Sequence, residues 1–402
     1  MTFLPSFRPA LSWRELGAAL RAGRRPGGSE EFARALERYL DVPHAVAAHS
    51  ARWGLYHLLR GLGLREGDEV LVPALTYFAV PAAVVRAGLK PVFVDIQPDS
   101  LAIDPEAARR SVTGRTRAVI PTHLSGFICD LAAVCALARE RGLTVIEDCA
   151  QSLGGAFRGR RAGAWGEAAY FTFGVTKHMT TLGGAMVVAR DEVLARGLRR
   201  AAQSPVLARL PAAALLKAAV MKCATSGPGF PLTYAGLRLC AGAGLDAVDL
   251  LFAEPPAQLG EPRAGAFHPA QSALGLLQLA SLDARNQRRR ERALQLYGLL
   301  RAIPGVRVPR SQEGAEDVFS SCPVFVPGKE RARQELLRRG IDSSLGYLQD
   351  CSALEMFAEQ RRECPNAARA KREVLYLPLY EELAESDVEL VADRLRRALR
   401  GA

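Results

Sequence analysis

The run AAYFTFGVTKH, residues 168–178, places Lys177 five residues beyond Thr172 and just past a stretch of aromatic and β-branched residues. A lysine amine becomes a nucleophile once deprotonated, and desolvation lowers its pKa from a free value of about 10.4. A solvated charge at a strand end is the plain alternative for Lys177 taken alone. Asp148 stands in EDCAQS, residues 147–152, directly after the apolar run LTVI. An unpaired carboxylate at the end of a buried strand is costly, so Asp148 calls for a cation; a helix cap or a buried ion pair explains it equally well. Gln151 lies three residues further on. In HSARWGLYHLL, residues 49–59, Ser50 is placed to cap a helix, which leaves the amides of Ala51 and Arg52 as an anion site. Tyr77, in LTYFAV, follows a strand-like segment and by itself is an ordinary core or rim aromatic.

These residues act together only if a fold gathers them. Between residues 43 and 190 short apolar runs alternate with amphipathic stretches. The runs EVLVPA (69–74), KPVFVDI (90–96), TRAVIPTHL (116–124), LTVIEDCA (143–150), AAYFTF (168–173) and GGAMVVAR (183–190) predict strands. Most are separated by helix-like segments, among them ARWGLYHLLRGLG and DLAAVCALARERG. That rhythm predicts an α/β fold with a mostly parallel sheet covered by helices on both faces. Ligands of such sheets collect at the carboxyl ends of the strands, where Asp148, Thr172 and Tyr77 are expected. We assign residues 1–203 to this large domain. Residues 204–263 break the rhythm and read as an apolar helical insertion: packed on the body, a dimer contact, or a patch that touches lipid. Its longest uncharged run, 223–237, contains two prolines and is too short to span a bilayer. Residues 264–402 form a smaller C-terminal α+β domain, with one long helix over 268–300, a strand within 317–327, and helices over 329–340 and 385–399.

The chain has 402 residues, 49% of them hydrophobic and 24% charged, and carries a net charge of +11. The surplus is arginine spread along the length, without the aromatic–basic interleaving of a nucleic-acid binder. None of the eight cysteines forms a CxxC pair, so the expectation is a reduced, cytoplasmic protein without a metal site. The N-terminus shows no secretory signal pattern.

A Schiff-base lysine, an acid for a ring nitrogen, a phosphate cup and a flat side chain are the parts that hold pyridoxal phosphate. The blocks GDEVLVPALTYFAVPAAVVRAGLKPVFVDI, GLTVIEDCAQSLGGAFRGRRAGAWGEAAYFTFGVTKHMTTLGGAMVV and LPLYEELAESDVELV resemble the DegT/DnrJ/EryC1/StrS family of pyridoxal-phosphate enzymes, of the aspartate aminotransferase fold type. The resemblance implies that Lys177 forms the Schiff base and shuttles the proton, and that Asp148 pairs with the pyridinium nitrogen. Gln151 would lie near the phenolic oxygen, and Tyr77 would stack on the ring. Thr172 stands where the family has a phosphate-binding serine, and Ser50, Ala51 and Arg52 stand where it has Ser-Gly-Thr. Relatives with histidine at the reactive position dehydrate sugars; here histidine is the next residue, His178, which favours amination. The expected activity is transfer of an amino group from an amino acid such as glutamate to a nucleotide-linked keto sugar, by a homodimer. The segments AGAFHPAQSALG (264–275) and DSSLGYLQDCSALEMF (342–357) depart from the family's Asn-Tyr-Arg-Met stretch and its Arg/Tyr/His-rich loop. Those departures, with the insertion, give the alternatives: amination of a more apolar or lipid-linked carbonyl at a membrane surface, or a non-catalytic regulatory member of the fold.

Overall fold

Seven strands build the central sheet, and the register between them decides which residues meet. In the computed structural model, which describes residues 2–22, 29–202, 212–242, 257, 259–346 and 348–400, these are β1 (His44–Ala48), β2 (Glu69–Pro73), β3 (Lys90–Val94), β4 (Thr116–Val119), β5 (Thr144–Asp148), β6 (Ala168–Thr172) and β7 (Ala185–Ala189). Their order across the sheet is β3-β2-β4-β5-β6-β7-β1. The pairs from β3 to β6 are parallel, whereas β7 runs antiparallel to both β6 and β1. The α/β class read from the sequence therefore holds, with the six expected strands at their expected places.

β1 was not among those strands. Its sequence, HAVAA, is short and alanine-rich, a composition depleted in strands, and a helix begins three residues after it ends. It is recruited by pairing: Ala48 lies opposite Ala185 of β7, which in turn lies opposite Thr172 of β6. All five residues of β2 are buried, as is usual for a strand covered on both faces. Side chains alternate between those faces. Val46, Ile146, Ala168, Tyr170 and Val187 join the core under helix Ala51–Gly61, while Ala169, Phe171, Met186 and Val188 join the core under helix Ser29–Leu40. Helices Pro105–Ser111 and Leu131–Arg141 cover the β2–β5 end of the sheet.

The single long helix expected over 268–300 is two, Pro269–Leu279 and Leu282–Leu300. Uniform helical periodicity hides the break at Ala280–Ser281. The first of the pair packs against helices Trp13–Ala22 and Ser29–Leu40. The second packs on the final helix, Glu385–Arg400. The C-terminal part carries the antiparallel pair Cys322–Phe325 and Val374–Leu377. It reaches back to the large domain, where Gln349–Asp350 forms a separate two-stranded pair with Leu75–Thr76, just before Tyr77. The chain start crosses the other way: the Leu4 amide donates to the Gly340 carbonyl and the Asp342 amide to the Leu4 carbonyl, each over 2.9 Å.

Of the insertion, helices Ala212–Ala224 and Phe230–Gly242 are described; residues 203–211, 243–256 and 258 lie outside the described residues. No described helix is long and apolar enough to cross a membrane.

Candidate active site

The carboxyl ends of β1, β2, β5 and β6 all point to one edge of the sheet, because β7 reverses direction between β6 and β1. Ser50 follows β1, Tyr77 follows β2, Asp148 ends β5, Thr172 ends β6 and Lys177 lies in the loop after β6. Asp148 is in register with Tyr170, and Tyr170 shares a face with Thr172 two residues on. Both therefore look toward helix Ala51–Gly61, whose N-terminus begins beside them. The lattice of the sheet thus gathers the residues singled out from the sequence.

Asp148 is 4% exposed. Burial pushes its carboxyl above the ordinary value, and the Ala150 amide, Tyr170, Lys177 and His123 pull the other way. The Ala150 amide donates to it over 3.0 Å. The buried Tyr170 hydroxyl faces the same carboxylate without a regular hydrogen bond. Lys177, half-buried, is thus an electrostatic partner of Asp148. Gln151 is fixed by its own acceptor: Oε1 takes the Ser125 amide at 2.9 Å. Ser125 itself has a φ of 57°, a left-handed conformation costly for a non-glycine residue.

At the other side of the site, Ser50 precedes helix Ala51–Gly61 in an extended conformation. The expected side-chain cap is not made: Ser50 Oγ is buried and has no hydrogen-bond partner. Arg52 Nη2 reaches the Tyr77 hydroxyl at 3.5 Å, so cup and aromatic are joined. Beside them opens a cavity of about 540 Å³ lined by His49, Ser50, Arg52, Trp53, Phe78 and Arg263, among others. Burial, then the Arg263 charge, lowers the pKa of His49. Both His49 and Arg263 went unread in the sequence. Arg263 comes from the end of the insertion, which no local pattern ties to residue 49.

The loop that presents Lys177 is held from several sides. The Lys177 amide donates to the Gly174 carbonyl at 3.0 Å, and the Thr181 and Gly183 amides donate to Phe173 at 3.1 and 2.9 Å. Gln278 Oε1 accepts the Thr180 amide at 2.8 Å. Gly184, at φ 84°, leaves room for Phe267: a Cβ there would stand 2.0 Å from the ring. His178 is buried, and burial first, then Arg289, lower its pKa to about 3. Its Nε2 donates to the Leu153 carbonyl at 3.1 Å, which Asn286 Nδ2 also reaches at 3.0 Å. Asn286 in turn accepts from buried Arg289 at 2.9 Å. His178 is thereby a neutral anchor of the loop that carries Lys177.

One buried triad, His123, Glu147 and Cys149, has donor atoms within 4.8 Å of one another. Glu147 accepts the amides of Gly163, Trp165 and Gly166 at 2.7–2.8 Å, and His123 Nδ1 accepts the Cys129 amide at 3.1 Å. The Glu147 bonds tie the turn before β6 to the end of β5. All eight cysteines are free thiols.

Comparison with known proteins agrees with this geometry. A 3-aminotransferase of UDP-N-acetyl-3-dehydro-α-D-glucosamine from Acidithiobacillus ferrooxidans is 30% identical over 90% of this chain and 85% of its own length. A pleiotropic regulatory protein of Geobacillus stearothermophilus is 28% identical over 89% of this chain and 85% of its own. Among solved structures, S. venezuelae DesV, determined with a ketimine intermediate, superposes with a TM-score of 0.80 at 27% identity, covering 99% of this chain and 98% of that one. The family model itself matches residues 15–208 and 267–396, leaving out the insertion between them. With its sheet, its strand-edge cleft and that match over most of its length, the chain belongs to the DegT/DnrJ/EryC1/StrS aminotransferase family.

Proposed function

We propose that the protein uses pyridoxal phosphate to move an amino group from an amino acid, glutamate the first candidate, to the keto carbon of a nucleotide-linked sugar. The observation that carries the reading is the placement of the buried Asp148 at the end of β5 and of Lys177 in the loop that follows the adjacent β6, both at the carboxyl edge of the sheet. The residues present fit the cofactor. A buried carboxylate held above its ordinary pKa awaits a cationic group, and the buried, unbonded Ser50 Oγ at a helix N-terminus awaits an acceptor such as a phosphate oxygen. Arg52 beside it supplies positive charge, and Thr172 ends β6 with a second hydroxyl.

The cofactor, when bound, supplies an electron sink for the carbanion formed at the substrate carbon. The rest falls to this chain's side chains. Lys177 Nζ would hold the cofactor covalently and, when displaced by the incoming amine, take the substrate proton and return it. Asp148 would keep the ring nitrogen protonated by accepting its hydrogen bond. Gln151, fixed by Ser125, would orient the ring from the phenolic side and Tyr77 would cover one face. Ser50, Thr172, Arg52 and the Ala51 amide would hold the phosphate. We also propose a homodimer in the cytoplasm. The sugar acceptor rests on relatives, since the Acidithiobacillus protein is named for a nucleotide-linked keto sugar.

A half-reaction screen tests the reading. Protein loaded with pyridoxal phosphate should lose its visible absorbance on adding an amino donor and regain it with a nucleotide-linked keto sugar. Bleaching by the donor with recovery only by other keto compounds would overturn the acceptor; no bleaching by any amino acid would overturn the transferase reading of this site.

A further inference from the structure

We propose that the helical hairpin Ala212–Ala224/Phe230–Gly242 is a docking surface for an anionic lipid bilayer. Its outward faces are apolar. Leu216 and Val220, one turn apart, are 67% and 57% exposed, and Leu232 and Leu239, two turns apart, are 81% and 77% exposed. Spacings of four and seven residues put each pair on one side of its helix. The neighbouring helix Trp13–Ala22, which shares a small core with the hairpin through Leu16 and Ala19, adds Trp13 and Leu20 at 53% and 42% exposure. Six of the ten large hydrophobic side chains most exposed among the described residues therefore lie on three adjoining helices. Scattered exposed leucines are ordinary on a protein surface; a concentration of this kind marks a contact.

Charge chooses the occupant. From Val193 to Leu245 the sequence contains seven Lys and Arg residues and not one Asp or Glu. Lys222 and Arg238 lie on the hairpin itself. An apolar hairpin whose own charged side chains are all cations complements the headgroup layer of a negatively charged membrane, where aliphatic side chains enter the acyl boundary and Lys and Arg meet lipid phosphates. Each helix has 13 residues, about 20 Å at 1.5 Å per residue, against a hydrocarbon core of about 30 Å, so the hairpin lies on a bilayer and does not span it. Its inner face, through Ala218 and Met221, packs against Val175 and Leu182, which bracket Lys177 in the chain. Docking would bring the mouth of the site close to the lipid surface. The inference stands on the surface alone and is independent of what the site binds.

The test is co-sedimentation of the full chain with vesicles of phosphatidylcholine alone or with one third phosphatidylglycerol, at low salt. The protein should pellet with the anionic vesicles only. Lys222→Glu/Arg238→Glu should weaken that binding about tenfold or more, at about 1 kcal/mol per cation near the surface. Leu232→Ser/Leu239→Ser, at side chains too exposed to hold the fold together, should abolish it without shifting the sedimentation coefficient or the absorbance of cofactor-loaded protein. No binding to anionic vesicles overturns the proposal. So does equal binding to neutral vesicles. A serine variant that binds vesicles normally but loses a subunit would assign the face to a second copy of the chain and overturn it as well.

Discussion

Lys177 is one of six lysines in the chain, and the positions of the other five set it apart. Lys90 begins β3, at the opposite edge of the sheet. Lys217 and Lys222 belong to the insertion. Lys329 donates to the Lys371 carbonyl, and Lys371 to the Leu348 carbonyl at 2.9 Å. Lys177 stands at the carboxyl edge, in the loop after β6, and its charge acts on Asp148. The carboxylate has two opposed effects. Its folded pKa is raised by burial, so the stability it contributes is present below the unfolded value of about 3.9 and lost as pH rises. Asp148→Asn should therefore leave thermal stability at neutral pH unchanged or raise it slightly. The same change should lower turnover about 10²–10³-fold, the usual scale for removing a preorganised charge from a reacting centre. Calorimetry and steady-state kinetics on one preparation would read both; a large drop in melting temperature would show that Asp148 is a structural ion-pair member first.

At the scale of elements, the loop Phe173–Gly184 is the part that sequence alone could not describe. The lysine was legible because it follows a run that looks like a strand, and Asp148 because it ends another. Their relation was not, since it comes from the Asp148–Tyr170 register across β5 and β6. The anchors of the loop come from residues distant in sequence: Gln278, Phe267 and Asn286, none with a local signature. His178 was read as the neighbour of the nucleophile, and its use is mechanical: a neutral ring holding the Leu153 carbonyl together with Asn286. This has a pH consequence. With a folded pKa lowered to about 3, against an unfolded value of about 6.5, the neutral ring contributes stability above pH 6.5 that is lost as pH falls. The loss approaches about 1.4 kcal/mol per pH unit until the folded pKa is reached. His178→Gln, which keeps a donor for the Leu153 carbonyl, should flatten the fall in stability between pH 6 and pH 4 measured by denaturant melts. An unchanged acid limb would mean that other groups govern it.

For the molecule as a whole, periodicity revealed the layered α/β plan, because buried parallel strands read as continuous apolar runs. It failed where composition and role part company. HAVAA completes the sheet by pairing alone, and the uniform pattern over 268–300 hid a break between a helix that serves the large sheet and one that serves the C-terminal part. The insertion announced itself by its apolar composition, and its exposed leucines now give that composition a surface. Everything about activity converges on a single bond. Protein loaded with pyridoxal phosphate and reduced with borohydride should carry the pyridoxyl group on Lys177 in a peptide map, and Lys177→Ala, still folded, should show neither label nor visible absorbance. A label on any of the other five lysines, or a coloured Lys177→Ala protein, would contradict the account.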